Sequence, residues 1–171
     1  MGAPFVPTLA YAGSDVIKRR PDDFTITVNP FDPAERIVVA KAINPDVGVF
    51  HGLKADPAGN VLLRTGGEEL LLIQASRKVI VTVEEIVEKV DAEAPGARFI
   101  PSLYVTAVVH APFGAHPTGA PGYYRADDER LREYLAASAS DESFAAYLDK
   151  YVFARGSHDG YLKQVGLARG T

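Results

Sequence analysis

A strand that runs directly into a loop of conformationally special residues sets the first limit on how this chain can fold. The stretch Leu103 to His110 reads as a buried strand. It is followed by Pro112-Phe113-Gly114-Ala115-His116-Pro117-Thr118, then by Gly122-Tyr123-Tyr124, and a charged stretch opens a helix near Asp127. A surface connection needs only a polar turn, so this concentration of proline, glycine and histidine points to a loop that is shaped or that binds something. Loops at strand ends are also where open α/β sheets place their ligands.

A second marked segment, Lys54-Ala55-Asp56-Pro57-Ala58-Gly59-Asn60, lies between the apolar runs Val47 to His51 and Val61 to Leu63. Asp-Pro followed by Gly-Asn is strong turn chemistry and predicts strand, turn, strand. Residues 1–23, rich in Pro and Gly, are expected to wrap irregularly over neighbouring surface. Residues 24–110 read as a strand-rich core: Phe24 to Val28 alternates, while Ile37 to Ala40, Val47 to Phe50 and Val79 to Val81 are apolar. One helix, about Glu68 to Arg77, interrupts them and suggests a right-handed parallel crossover. Residues 111–126 form the loop, and 127–168 read as helices. There Phe144, Tyr147, Leu148, Tyr151 and Val152 repeat at helical spacing, with Ser140 and Ser157 as caps. The tyrosine stripe reads as packing rather than a ligand face. The expected fold is α/β: one domain over 1–171, an open, mostly parallel sheet with a crossover helix and a C-terminal helical cover.

Composition removes several function classes. A chain of 171 residues, 47% of them hydrophobic, buries roughly 70% of its unfolded surface in one domain. The net charge of −4 argues against nucleic acid, because phosphate binding needs a basic patch. Without cysteine there is neither a disulfide nor a thiolate site. No apolar run is long enough for a membrane span and no signal-peptide pattern opens the chain, so cytoplasm is the default.

Histidines 51, 110, 116 and 158 lack metal-ligand spacing, so no metal is expected. His51 and His110 read as strand ends, His158 as exposed beside a cap, and His116 by itself as a turn residue. Thr65-Gly66-Gly67 is too short for a phosphate cradle. Glu84-Glu85 is a tempting carboxylate pair, with Thr82 and Glu85 matching a capping pattern.

These segments in order, with Lys78-Val79-Ile80-Val81-Thr82-Val83-Glu84-Glu85-Ile86-Val87, Phe99-Ile100-Pro101, Pro4-Phe5-Val6-Pro7, Gly13-Ser14-Asp15 and Asn29-Pro30-Phe31, resemble the α (A) subunit of family I CoA-transferases, glutaconate type. The Asp56/Asn60 turn recurs more widely, including in single-chain succinyl-CoA:3-oxoacid transferases. The resemblance implies a fold shared with sugar-phosphate isomerases and a chain corresponding to the C-terminal part of the subunit, since no glycine-rich strand-to-helix loop occurs here. It implies transfer of CoA from an acyl-CoA to a carboxylic acid, with CoA as substrate and no separate cofactor. The catalytic glutamate would lie on a β subunit, leaving Glu84 and Glu85 to structure or interface. Hetero-oligomers or self-association are implied. Gly114, His116, Thr118, Tyr123, Tyr124, Asp56 and Asn60 become candidates for the substrate cleft or subunit seam, although Gly119-Ala120-Pro121 departs from the family pattern. Two alternatives remain: part of a steroid-degrading CoA-thioester ring hydrolase, or a non-catalytic interaction module.

Overall fold

The computed structural model describes residues 3–154 and 156–168. The chain builds two sheets and a set of helices. Strands β1 (Phe5–Thr8), β2 (Phe24–Asn29) and β3 (Asp32–Lys41) form an antiparallel sheet in the order β1-β3-β2. The N-terminal stretch is therefore not an irregular wrap. Phe5 to Thr8 pairs with Val38 to Lys41, and a short helix, α1 (Val16–Arg19), follows. Pro7 is tolerated because β1 is an edge strand. The β2–β3 turn is fixed by Asn29, whose side-chain oxygen accepts from the Phe31 N–H at 2.9 Å.

The larger sheet contains β4 (Val47–Ala55), β5 (Val61–Arg64), β6 (Lys78–Ile86), β7 (Ala97–Ile100) and β8 (Ala107–His110), in the order β7-β5-β4-β6-β8. β4, β6 and β8 run parallel, whereas β5 and β7 are antiparallel to their neighbours. The α/β class holds, and the sheet is mixed: β4, β6, β7 and β8 run one way and β5 alone runs against them. The cause is the Asp56–Asn60 turn: Gly59 takes φ +88° and sends β5 back along β4. Helix α2 (Glu69–Ala75) joins β5 to β6, with β4 between them. The parallel crossover thus runs from β4 to β6 and contains a hairpin strand as well as the helix.

One face of this sheet holds the core. Phe50, Val61, Leu63, Ile73, Val79, Val81, Val83 and Ile100 pack together, and Val108 adds to them from β8. Each fully buried Val or Leu side chain contributes roughly 1.5–3 kcal/mol. The expected strand Leu103 to His110 is shorter than predicted and not buried. Ser102–Tyr104 is a 3-10 turn, Leu103 is 88% exposed, and β8 is an edge strand.

Alternation places Val47, Val49, His51, Ile80, Thr82, Glu84, Ala107 and Val109 on the opposite face. The parallel register aligns Val49 with Ile80 and Ala107, and His51 with Thr82 and Val109. Loop 111–126 folds over the half near the C-terminal ends of these strands.

Helices α3 (Asp128–Ala137), α4 (Asp141–Leu148) and α5 (His158–Gln164) close the described chain. Their caps are Asp127, Ser140 and Ser157, each accepting backbone N–H groups. The tyrosine stripe is packing, as its spacing predicts: Tyr134, Phe144, Tyr147, Tyr151 and Tyr161 form a chain of ring contacts. The Tyr151 hydroxyl is not left to water. It donates to Glu133 at 2.7 Å and accepts from Arg130 at 2.8 Å. Among the described residues, no helix is long and apolar enough to cross a membrane.

Candidate functional site

The sequence places three polar side chains, His51, Thr82 and Glu84, on one face of otherwise apolar strands. β6 continues through Ile86, so Thr82 and Glu85 are strand residues and no helix-capping pair exists. His51 is mid-strand in β4, four residues from its end, and is not a terminal residue. The backbone thus brings His51 and Glu84 together under the loop.

Glu84 is the centre of this cluster, with its side chain 3% exposed. Oε1 accepts from His51 Nε2 and from the Tyr124 hydroxyl, each at 2.6 Å. Oε2 accepts from the Phe113 N–H at 2.7 Å. His51 Nδ1 lies 2.8 Å from the Thr82 hydroxyl, which donates to the Phe50 carbonyl. A buried carboxylate needs such a set of donors, because an unpaired charge inside a protein is expensive. Phe113 sits at φ +60°, a conformation costing a non-glycine residue roughly 1–2 kcal/mol. The charge-assisted bond from its N–H to Glu84 offsets part of that cost.

Gly114 lies against His51. A Cβ at this position would come within 2.6 Å of the imidazole Cε1, so only glycine allows the loop to sit this low. The Ala115 N–H donates to the Tyr124 hydroxyl at 3.0 Å, and the N–H groups of Gly114 and His116 bond to Ala111 and Phe113 carbonyls. With Phe113 committed to Glu84, the loop's amides from 113 to 116 hold its own shape and are not aimed outward as an oxyanion hole.

Burial, and then the hydrogen bond to Glu84, push the Tyr124 phenol well above its ordinary range, keeping it a donor. Tyr123 is pushed up to about 12 by burial and by the charge of Glu85. Its hydroxyl donates between the Leu53 carbonyl and Glu85, at 3.2 and 3.3 Å. The hydrogen bond from Lys54, 2.9 Å from Glu85, holds the Glu85 carboxyl below its usual value.

The remaining candidates separate into two other places. His116 is buried, its side chain 4% exposed, where the loop meets the helices. Its ring lies 2.6 Å from the Tyr161 hydroxyl and 3.2 Å from the Asp127 carboxylate. Asp127 stays below the usual carboxylate range because the Arg130 N–H, and then His116, outweigh desolvation. Thr118 is exposed and donates to the Ala115 carbonyl. Asp56 and Asn60 brace the β4–β5 turn. Burial opposes the Asp56 charge, yet the Asn60 amide and the N–H groups of Val90 and Asn60 keep its carboxyl low. Asn60 in turn accepts from the Ser102 N–H at 3.0 Å. This turn borders a surface hollow of about 500 Å³ that Ile86 and Val108 also line.

The structure therefore joins Gly114, Tyr123 and Tyr124 to β4 and β6, sets His116 in the seam with the helices, and leaves Asp56 and Asn60 in a separate turn. His51 was missed as a site residue. Its signal was the period-two placement of His, Thr and Glu among valines. His158 is exposed, as expected, and its Nε2 lies 2.7 Å from the Pro112 carbonyl; His110 ends β8.

Residues 1–111, which end where this loop begins, match the coenzyme A transferase family model. The chain belongs to the coenzyme A transferase family. It is 38% identical to the α (A) subunit of 3-oxoadipate CoA-transferase from Pseudomonas knackmussii and 33% identical to that of glutaconate CoA-transferase from Acidaminococcus fermentans. Each alignment covers 99% of this chain and 58% of the relative. The crystal structure of the Acidaminococcus glutaconate CoA-transferase superposes on 96% of the chain with a TM-score of 0.84 at 32% identity, using 57% of that protein's chain. A cholesterol ring-cleaving hydrolase IpdA subunit from Rhodococcus jostii is 30% identical over 92% of the chain and 56% of its own length. This CoA-transferase chain thus spans a little under three fifths of these relatives, and the resemblance to the α (A) subunit of the glutaconate type holds.

Proposed function

We propose that the chain forms part of the α (A) subunit of a heteromeric CoA-transferase, supplying one wall of an acyl-CoA cleft completed by a β subunit that carries the nucleophilic glutamate. The observation that carries this reading is the state of the two carboxylates that β6 places beneath the loop. Glu84 is buried with both oxygens occupied, and Glu85 is tied to Lys54 and Tyr123. Neither is free to attack a thioester.

In the proposed reaction, a partner glutamate attacks the acyl-CoA carbonyl and expels CoA thiolate, giving a mixed anhydride. The thiolate attacks the glutamyl carbonyl, releases the first acid as its carboxylate and leaves a glutamyl-CoA thioester. The acceptor carboxylate attacks that thioester, and the freed thiolate takes the new acyl group while the glutamate is restored. Oxyanion donors would come from outside residues 113–116, whose amides are spent on Glu84 and within the loop. The two transferase relatives are named for glutaconate and 3-oxoadipate, both dicarboxylic acids, so a short dicarboxylic acid is the proposed partner of CoA. The cytoplasm is the proposed compartment.

The ring-hydrolase reading rests on a relative of lower identity. To separate the two, the assembled complex is given glutaconyl-CoA and labelled acetate. Labelled acetyl-CoA is the expected product; consumption of water without labelled acetyl-CoA would overturn the proposal.

A further inference from the structure

We propose that Glu84 is a positioning residue that clamps both stems of loop 111–126 and so sets where this wall stands above the C-terminal ends of β4 and β6. The proposal rests on the reading of the loop as a cleft wall. Its geometric basis is that the two loop donors onto Glu84 come from opposite ends of the loop: the Phe113 N–H near its start and the Tyr124 hydroxyl near its end. One carboxylate therefore fastens both stems, and the rings of Phe113 and Tyr124 pack 4.8 Å apart above it. The clamp passes its constraint inward through Tyr124, which also receives the Ala115 N–H. From below, His51 holds the carboxylate and is itself held by Thr82.

The device stands apart from the core. Val79, Val81 and Val83 pack on the other face of β6 with Phe50, Leu63 and Ile73, and they touch none of these hydrogen bonds. Gly114 and Thr118 are exposed on the loop held in this way. Loss of the clamp should therefore release the loop and leave the sheet in place.

The full chain with Glu84→Gln tests the clamp directly. The amide loses the charge and offers a single oxygen. With that oxygen on the Phe113 N–H, its NH₂ faces His51 and the Tyr124 hydroxyl, which must switch from donating to accepting, so the charge-assisted bonds that fasten the two stems are weakened. Amide exchange at Phe113 and Ala115, followed by NMR, should quicken about ten- to a hundredfold, while Val81 and Val83 stay unchanged. Tyr124→Phe keeps the carboxylate. It should free the Ala115 amide yet leave that of Phe113 protected, and it serves if the first variant does not fold. Unchanged loop exchange, or equal acceleration in the sheet, would overturn the proposal. In the assembled complex, with acetyl-CoA and glutaconate as probes, Glu84→Gln should lower kcat roughly ten- to a hundredfold, with KM for acetyl-CoA little changed. A released loop with unaltered kinetics would keep the clamp and remove the cleft reading instead.

Discussion

The two halves of one sheet face make an instructive contrast. Near the C-terminal strand ends, the face carries His51, Thr82 and Glu84 and is roofed by the chain's own loop. Near the N-terminal ends it carries Val47, Val49, Ile80 and Ala107, of which Val47 and Val49 are 45% and 62% exposed. This inverts the usual rule for parallel strands, whose apolar faces are covered. The polar half is closed because its groups hydrogen-bond to one another and, through Glu84, to the loop, in a fixed geometry. The valine half makes no such directional demand. Chemistry that requires precision is therefore concentrated under the loop, and substitutions in the two halves should behave very differently.

Glu84→Lys should be the most damaging of these. It sets a cation among the His51, Tyr124 and Phe113 donors, and loss of a buried charge's pairing costs about 3–5 kcal/mol. Chemical denaturation would measure it, and a change under about 1 kcal/mol would mean that the roofed half is no better ordered than the bare one.

His116→Ala comes next. A place for His116 in the substrate cleft, as the resemblance implies, predicts lost activity with little change in melting temperature. The buried position of His116 between Asp127 and Tyr161 instead predicts a stability loss of about 1–3 kcal/mol, visible as a lower Tm. An unchanged Tm with reduced kcat/KM would return His116 to the cleft.

Alkaline titration probes the same roof. Burial, then the neighbouring Tyr147, push the Tyr161 phenol up to about 12, and burial with Glu85 pushes Tyr123 to a similar value. A folded-state pKa above the unfolded value of about 10 stabilises the fold fully below pH 10. That contribution is lost as pH rises from about 10 to 12. Absorbance of phenolate should therefore lag the free-tyrosine curve until the helices loosen; simple titration near pH 10 would contradict the packing.

Val49→Lys, in the bare half, should be the mildest, within about 0.5 kcal/mol of the parent. A loss of several kcal/mol would show that this half is covered in solution.

Sequence patterning reveals β2 to β6, the Asp56–Asn60 turn and the caps at Ser140 and Ser157, because those follow from local periodicity and turn chemistry. It does not reveal that β7 adds to the far side of β5 or that Phe5 to Thr8 pairs with β3, since pairing partners are chosen by distant residues. Tyr123 and Tyr124 are legible as loop residues, but their partners are not. Glu84 lies 40 residues from Tyr124, and only the fold brings that carboxylate beneath the loop. His51 reads as a strand end because its apolar run stops there, whereas the ladder with β6 carries the strand on to Ala55.

The most direct test of the central claim is the location of the covalent intermediate. The assembled complex is incubated with acyl-CoA without acceptor, trapped, and each polypeptide is weighed by mass spectrometry. A CoA adduct on a glutamate of the partner chain, with this chain unmodified, is the predicted result. An adduct on this chain, at Glu84, Glu85 or elsewhere, would contradict the account.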